Sequence, residues 1–166
     1  MSRTIQVTFD AHDPESLSRF WADAMGYVNP PPPGRELSPG QDPFDAWHDF
    51  LREVGVPESE WNSASAAQDP EDAGPRLFFQ RVPEGTSEEV RTPSRGQLTR
   101  PKNKVHLDVR AAPGLEGEER MEALEAECER LIALGATRVQ RYEPAPPMSA
   151  GHIVMEDPEG NVFCLD

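Results

Sequence analysis

The sequence predicts an α+β protein made of two copies of one strand–helix–strands module, the first copy carrying a helical insertion. Three observations point there. A short strand with alternating apolar and polar residues opens at Ile5, and another opens at Val105. An amphipathic helix closed by a glycine follows each of them. Each half then ends on an aromatic strand, around Phe79-Gln80 and around Phe163-Cys164.

Ile5 to Ala11 puts Ile5, Val7 and Phe9 on one face and Gln6, Thr8 and Asp10 on the other. Asp13 is the expected N-cap of the first helix, with Pro14 at its first position and Glu15 in its first turn. Leu17, Phe20, Trp21 and Ala24 form its apolar stripe, and Gly26 stops it. Residues 29–43, with the run Pro30 to Pro33, are extended and unsuited to a central strand. Asp42-Pro43 starts a second helix whose stripe is Phe44, Trp47, Phe50, Leu51 and Val54 and whose stop is Gly55. Asn62 to Gly74 is turn-rich and reads as a hairpin; Leu77 to Gln80 reads as a strand.

The second half opens with a strand over Val105–Arg110. A helix follows from about Glu118 to Leu134, with the stripe Met121, Leu124, Cys128, Leu131 and Ile132. Three strands complete it: Thr137–Tyr142, Gly151–Met155 and Asn161–Leu165, the last two joined by the turn Asp157-Pro158-Glu159-Gly160-Asn161. Aligning Gln6–Ala11 with His106–Ala111 makes the halves equivalent. Gly26 to Gln80 then covers 54 positions and Gly135 to Cys164 covers 29, an excess that matches the Pro-rich loop and the Asp42–Gly55 helix. The expected boundaries are a first module at 1–84 with its insertion at about 30–75, a linker at 85–103 and a second module at 104–166. The residues alone leave open an unrelated α+β fold whose halves are alike by chance.

Composition narrows the function classes. The chain has 166 residues, 36% hydrophobic and 28% charged, which suits one domain or two small halves. Thirty acidic residues against sixteen basic ones give a net charge of −14. That field repels phosphate backbones and anionic lipid surfaces, so neither nucleic acid nor membrane is expected as a partner. No apolar run approaches the ~18–20 residues of a membrane span. No signal-peptide core is seen at the start, and Cys128 and Cys164 form no disulfide framework, so a cytoplasmic location is expected.

Several stretches together carry a family likeness. They are Phe20-Trp21 before Met25-Gly26-Tyr27, Arg76 to Glu84, Asn103 to Val109, Leu134-Gly135-Ala136-Thr137 and Asp157 to Asn161. In order and number they resemble the glyoxalase-like domain proteins of the vicinal oxygen chelate superfamily, which includes glyoxalases, bleomycin-resistance proteins and extradiol dioxygenases. The likeness covers both halves and leaves residues 30–75 largely outside. It implies two βαβββ modules forming a cupped, U-shaped mixed sheet with the site on its concave side, and a homodimer.

The resemblance also implies four metal-ligand positions, which fall on Gln6, Gln80, His106 and Cys164. Strand alternation independently turns these four away from the apolar face. Only His106 is a typical ligand, and Gln80 and Cys164 stand where the family carries carboxylates. Neutral amides bind hard cations poorly, whereas a histidine with a thiolate could hold zinc. As a divalent-metal enzyme the chain would be a lyase, isomerase or dioxygenase acting on a small oxygenated molecule. His106, Gln80 and Asp108 are its catalytic candidates, stabilising an enediolate-like anion. The alternative is a non-catalytic, antibiotic-type binding protein that takes a small molecule without metal.

Each residue also has a plainer reading. His106 could be a hydrogen-bonding pocket residue and Cys164 a small buried hydrophobe. Asp10 and Asp108, on the same strand faces as Gln6 and His106, could supply a missing carboxylate or, near a strand end, stay solvated or cap it. His152 and Glu156 are weaker candidates, and His12 and His48 read as surface residues. The acidic run Glu118, Glu119, Glu122, Glu125, Glu127 and Glu129 reads as the solvated side of a helix. Trp47 and Trp61 belong to the insertion, which could be a lid or a dimer contact.

Overall fold

In the computed structural model, which describes residues 6–82, 106–145 and 149–166, Asp13 opens the first helix as the sequence predicts. Its carboxylate accepts the Ser16 amide at 3.1 Å, and Gly26 closes the helix with φ of 68°. The first unit, Met1–Val82, runs β1 (Gln6–Ala11), α1 (Pro14–Met25), α2 (Pro43–Glu53), a 3₁₀ segment (Glu58–Ser63), β2 (Ala64–Ala67) and β3 (Arg76–Arg81). The second unit, Pro83–Asp166, runs β4 (Leu107–Val109), α3 (Gly117–Ala133), β5 (Thr137–Tyr142), β6 (His152–Glu156) and β7 (Val162–Leu165). The expected linker at 85–103, with Lys104 and Val105, lies outside the described residues.

The two units share one connectivity. In the first, the sheet order is β1-β3-β2, with β1 parallel to β3 and β2 antiparallel to it. In the second, the order is β4-β7-β6-β5, with β4 parallel to β7 and the rest antiparallel. The first unit's missing strand survives as a single antiparallel bridge, Val28↔Gln68. Pro30 to Pro33 follow at once and have no N–H to extend a ladder. The fold is therefore α+β, built on two βαβββ modules, with a helical insertion in the first.

Pairing register corrects one expectation. In β1 and β3 Asp10 stands opposite Gln80; in β4 and β7 Asp108 stands opposite Cys164. With Gln80 matched to Cys164, the equivalent stretches are Thr8–Ala11 and His106–Val109, two residues away from the alignment that matched Gln6 with His106.

The helices α1 and α3 each cover one face of their own unit's sheet. Leu17, Phe20, Trp21 and Ala24 of α1 are buried, as are Leu77 and Phe79 beneath them. Phe9 packs its ring 5.3 Å from Trp21 and 5.0 Å from Phe79. In the second unit Met121, Leu124, Cys128 and Leu131 are buried with Ile153, Met155, Phe163 and Leu165. Ile132 and Val54, expected in their helix stripes, are exposed. Ile132 sits a quarter-turn round from Leu131, which already fills the core row with Leu124 and Cys128. Glu125 is also more than a solvated residue, since it bridges Arg138 and Arg141 of β5 at 2.9 and 2.8 Å.

Candidate functional site

The polar face of the second sheet carries a compact group of donors. Asp108 lies on β4, directly across from Cys164 on β7, and His106 comes just before β4 begins. His106 Nε2 is 3.2 Å from Asp108 Oδ1, and ligand atoms of His106, Asp108 and Cys164 all lie within 4.8 Å of one another. The histidine and aspartate side chains are about half exposed, so water screens their attraction and the pair adds little stability. Burial pushes the Cys164 thiol up, and the nearby Asp108 and Asp166 carboxylates push it further, so the metal-free sulfur is a neutral thiol at neutral pH.

Imidazole, carboxylate and thiol are the donors zinc uses, at bonds of roughly 2.0–2.3 Å. The three ligand atoms lie within 4.8 Å of one another, and a bound cation would displace the thiol proton. Three protein donors leave a fourth position for water or a ligand, the arrangement of catalytic zinc. The donor set fits such an ion.

The first unit treats its two expected ligands differently. Gln6 and Gln80 share the polar face of β1 and β3 but stand opposite Arg76 and Asp10, four residues apart, roughly 13 Å along a strand. The structure does not bring them together. Arg76 donates to Gln6 Oε1 at 2.6 Å, and Gln80 Nε2 donates to Asp10 Oδ1 at 2.9 Å. His106 and Cys164, by contrast, do converge, and Asp108 supplies the carboxylate beside them.

The same face of the first sheet carries a cavity of about 270 Å³. Its floor includes Ala64, Ala66, Phe78 and Arg76, and its other wall comes from the insertion: Phe44, Trp47 and Leu51 of α2 with Glu60 and Trp61 of the 3₁₀ segment. The insertion thus builds a pocket within its own unit. It is fixed there by Trp47 Nε1 donating to Pro30 O at 2.8 Å and by Asn62 donating to Asp13 at 2.8 Å. His48, expected at the surface, is half-buried: it meets Glu15 at 2.6 Å and stacks on Trp61 at 5.2 Å. Arg76 was not among the residues the sequence singled out. Its signal was the two-residue spacing of Arg76, Phe78 and Gln80 on one strand face.

His152, a weaker candidate, stacks on Tyr142 at 4.6 Å. No described helix is long and apolar enough to cross a membrane.

The family model of the glyoxalase-like domain matches residues 6–165. A glyoxalase/bleomycin resistance protein/dioxygenase family enzyme from Burkholderia phytofirmans PsJN is similar in structure, with TM-score 0.51 and 17% identity over 96% of this chain and 94% of that one. A glyoxalase-related enzyme from Fulvimarina pelagi gives TM-score 0.50 and 17% identity over 99% and 87%. A genomically encoded fosfomycin resistance protein from Listeria monocytogenes gives 0.52 and 12% over 99% and 92%. At such identities the likeness is one of fold. No curated protein matches the chain by sequence.

Proposed function

The chain belongs to the glyoxalase-like domain family, and on that premise we propose that it is a metal-assisted lyase or isomerase acting on a small oxygenated molecule. One observation carries the reading: His106, Asp108 and Cys164 place three different ligand types within 4.8 Å. His106, Asp108 and Cys164 would hold a zinc-like divalent cation, which when bound supplies Lewis acidity toward a substrate oxygen. Asp108 already lies within reach of the imidazole and orients it. Its half-exposed carboxylate can also take a proton from a substrate carbon or hydroxyl at the same face. Gln6 and Gln80, engaged within the first unit by Arg76 and Asp10, are not required for this chemistry. A homodimer and a cytoplasmic location belong to the same proposal.

Elemental analysis of protein purified without chelator, and again after adding zinc, manganese, iron or nickel, tests it. Stoichiometric metal that is lost in His106→Ala and in Cys164→Ser supports the enzyme. Retention of none of these metals would overturn it.

A second reading, a non-catalytic small-molecule binder, is favoured by the cavity of the first unit, whose wall is largely aromatic. It predicts metal-free protein whose melting temperature rises with an aromatic ligand.

A further inference from the structure

The cavity of the first unit has features that say what it takes. Its volume of about 270 Å³ exceeds the roughly 150 Å³ of an apolar cavity that accepts benzene. One or two rings therefore fit. The indole N–H groups of Trp47 and Trp61 are spent on the backbone oxygens of Pro30 and Val56, at 2.8 and 2.9 Å. These walls present ring surface rather than donors, so the part of a ligand lying against them is apolar.

A cage of aromatic rings often binds a cation, but here the rings already carry cations of their own. Arg19 lies 4.1 Å from the Phe44 ring centre, Arg52 5.1 Å from that of Trp61 and Arg76 5.2 Å from that of Phe78. A further positive charge would be repelled.

Arg76 sets the remaining preference. Among the described residues it is the one arginine that meets no carboxylate; the other nine are each ion-paired. That is notable in a chain with thirty acidic residues against sixteen basic ones. Its guanidinium is held instead by the neutral Gln6 amide at 2.6 Å and by the Phe78 ring, which leaves N–H donors of the planar fork unspent at the cavity. Glu60, the carboxylate on the lining, is offset by Arg81 at 3.3 Å and accepts the Ser63 hydroxyl.

We propose that this cavity binds a small aromatic anion, its ring between the insertion and Phe78 and its carboxylate on Arg76. The site stands on the first unit alone and holds whether or not the His106 cluster takes up metal.

Isothermal titration of the full chain with benzoate, benzamide and benzyltrimethylammonium tests this. Benzoate is expected to bind at least tenfold tighter than benzamide, since a charge-assisted bond is worth more than a neutral one. Benzyltrimethylammonium should bind weakest. Arg76→Gln, at an exposed position that tolerates substitution, should bring benzoate down to the level of benzamide while leaving benzamide unchanged. Trp47→Ala should weaken both, with circular dichroism confirming the fold. Equal affinities for benzoate and benzamide, a benzoate preference that survives Arg76→Gln, or tightest binding of the ammonium compound would each overturn the proposal.

Discussion

Arg120→Met is the substitution whose effect follows most directly from the second unit's packing. Arg120 is buried in α3, with 7% of its side chain exposed, and donates to the Gly151 carbonyl at 2.9 Å and to Asp166 Oδ1 at 2.5 Å. Methionine keeps most of the aliphatic volume, so the packing loss is small. The Gly151 carbonyl loses its side-chain donor in a buried place, which costs about 1–3 kcal/mol. Asp166 keeps Arg110 at 2.5 Å, so losing its second arginine adds only about 1 kcal/mol. The sum is about 2–4 kcal/mol. At a urea slope of about 2 kcal/mol/M the midpoint falls by roughly 1–2 M. Far-ultraviolet circular dichroism is the readout for α3, because Trp21, Trp47 and Trp61 all lie in the first unit. A midpoint within about 0.3 M of the parent would refute the claim that this buried arginine ties α3 to the strand carrying Cys164.

Other outcomes follow from the same geometry. Gly151→Ala puts a side chain at φ of 83° with its Cβ 2.7 Å from Met121 Sδ and 3.0 Å from the Pro144 backbone. A loss of about 2–3 kcal/mol is expected, a fall of roughly 5–10 °C in melting temperature, and an unchanged melt would contradict it. Asp42, held below the usual carboxylate range by its hydrogen bond from Arg19, and Glu125, held down by Arg141 and Arg138, have lowered folded-state pKa values. Their contribution is present above the unfolded pKa and disappears as pH falls through the folded one, so melting temperature should drop below about pH 4. His48→Ala removes the contact with Glu15 and the stack on Trp61, and should red-shift tryptophan emission and speed proteolysis between Val54 and Glu60.

Much of the fold was legible because local signals agreed with one another. Asp13-Pro14 and Gly26 bracket α1 as expected, and Asp42-Pro43 starts α2 with Asp42 accepting the Phe44 amide at 2.8 Å. The two-residue slip in matching the halves had a physical cause. Strand faces repeat every two residues, so a shift by two leaves every apolar position apolar and only ladder pairing reveals it. The family resemblance groups Gln6 with Gln80 and places no ligand at Asp108, whose position directly across the strands from Cys164 is visible only in the pairing. Arg76 escaped notice because an exposed arginine on a strand usually meets a carboxylate. The lack of one is a property of three-dimensional neighbours. His48 was missed for the same reason, since its half-burial depends on Glu15 and Trp61, which no helical periodicity brings near it.

The central chemical claim concerns one cation held jointly by His106, Asp108 and Cys164. X-ray absorption at the zinc edge of the zinc-loaded chain reads its ligand shell directly. One sulfur at roughly 2.3 Å with nitrogen and oxygen neighbours at roughly 2.0–2.2 Å is expected, and the sulfur should vanish in Cys164→Ser. A shell of nitrogen and oxygen alone in the parent protein would contradict it.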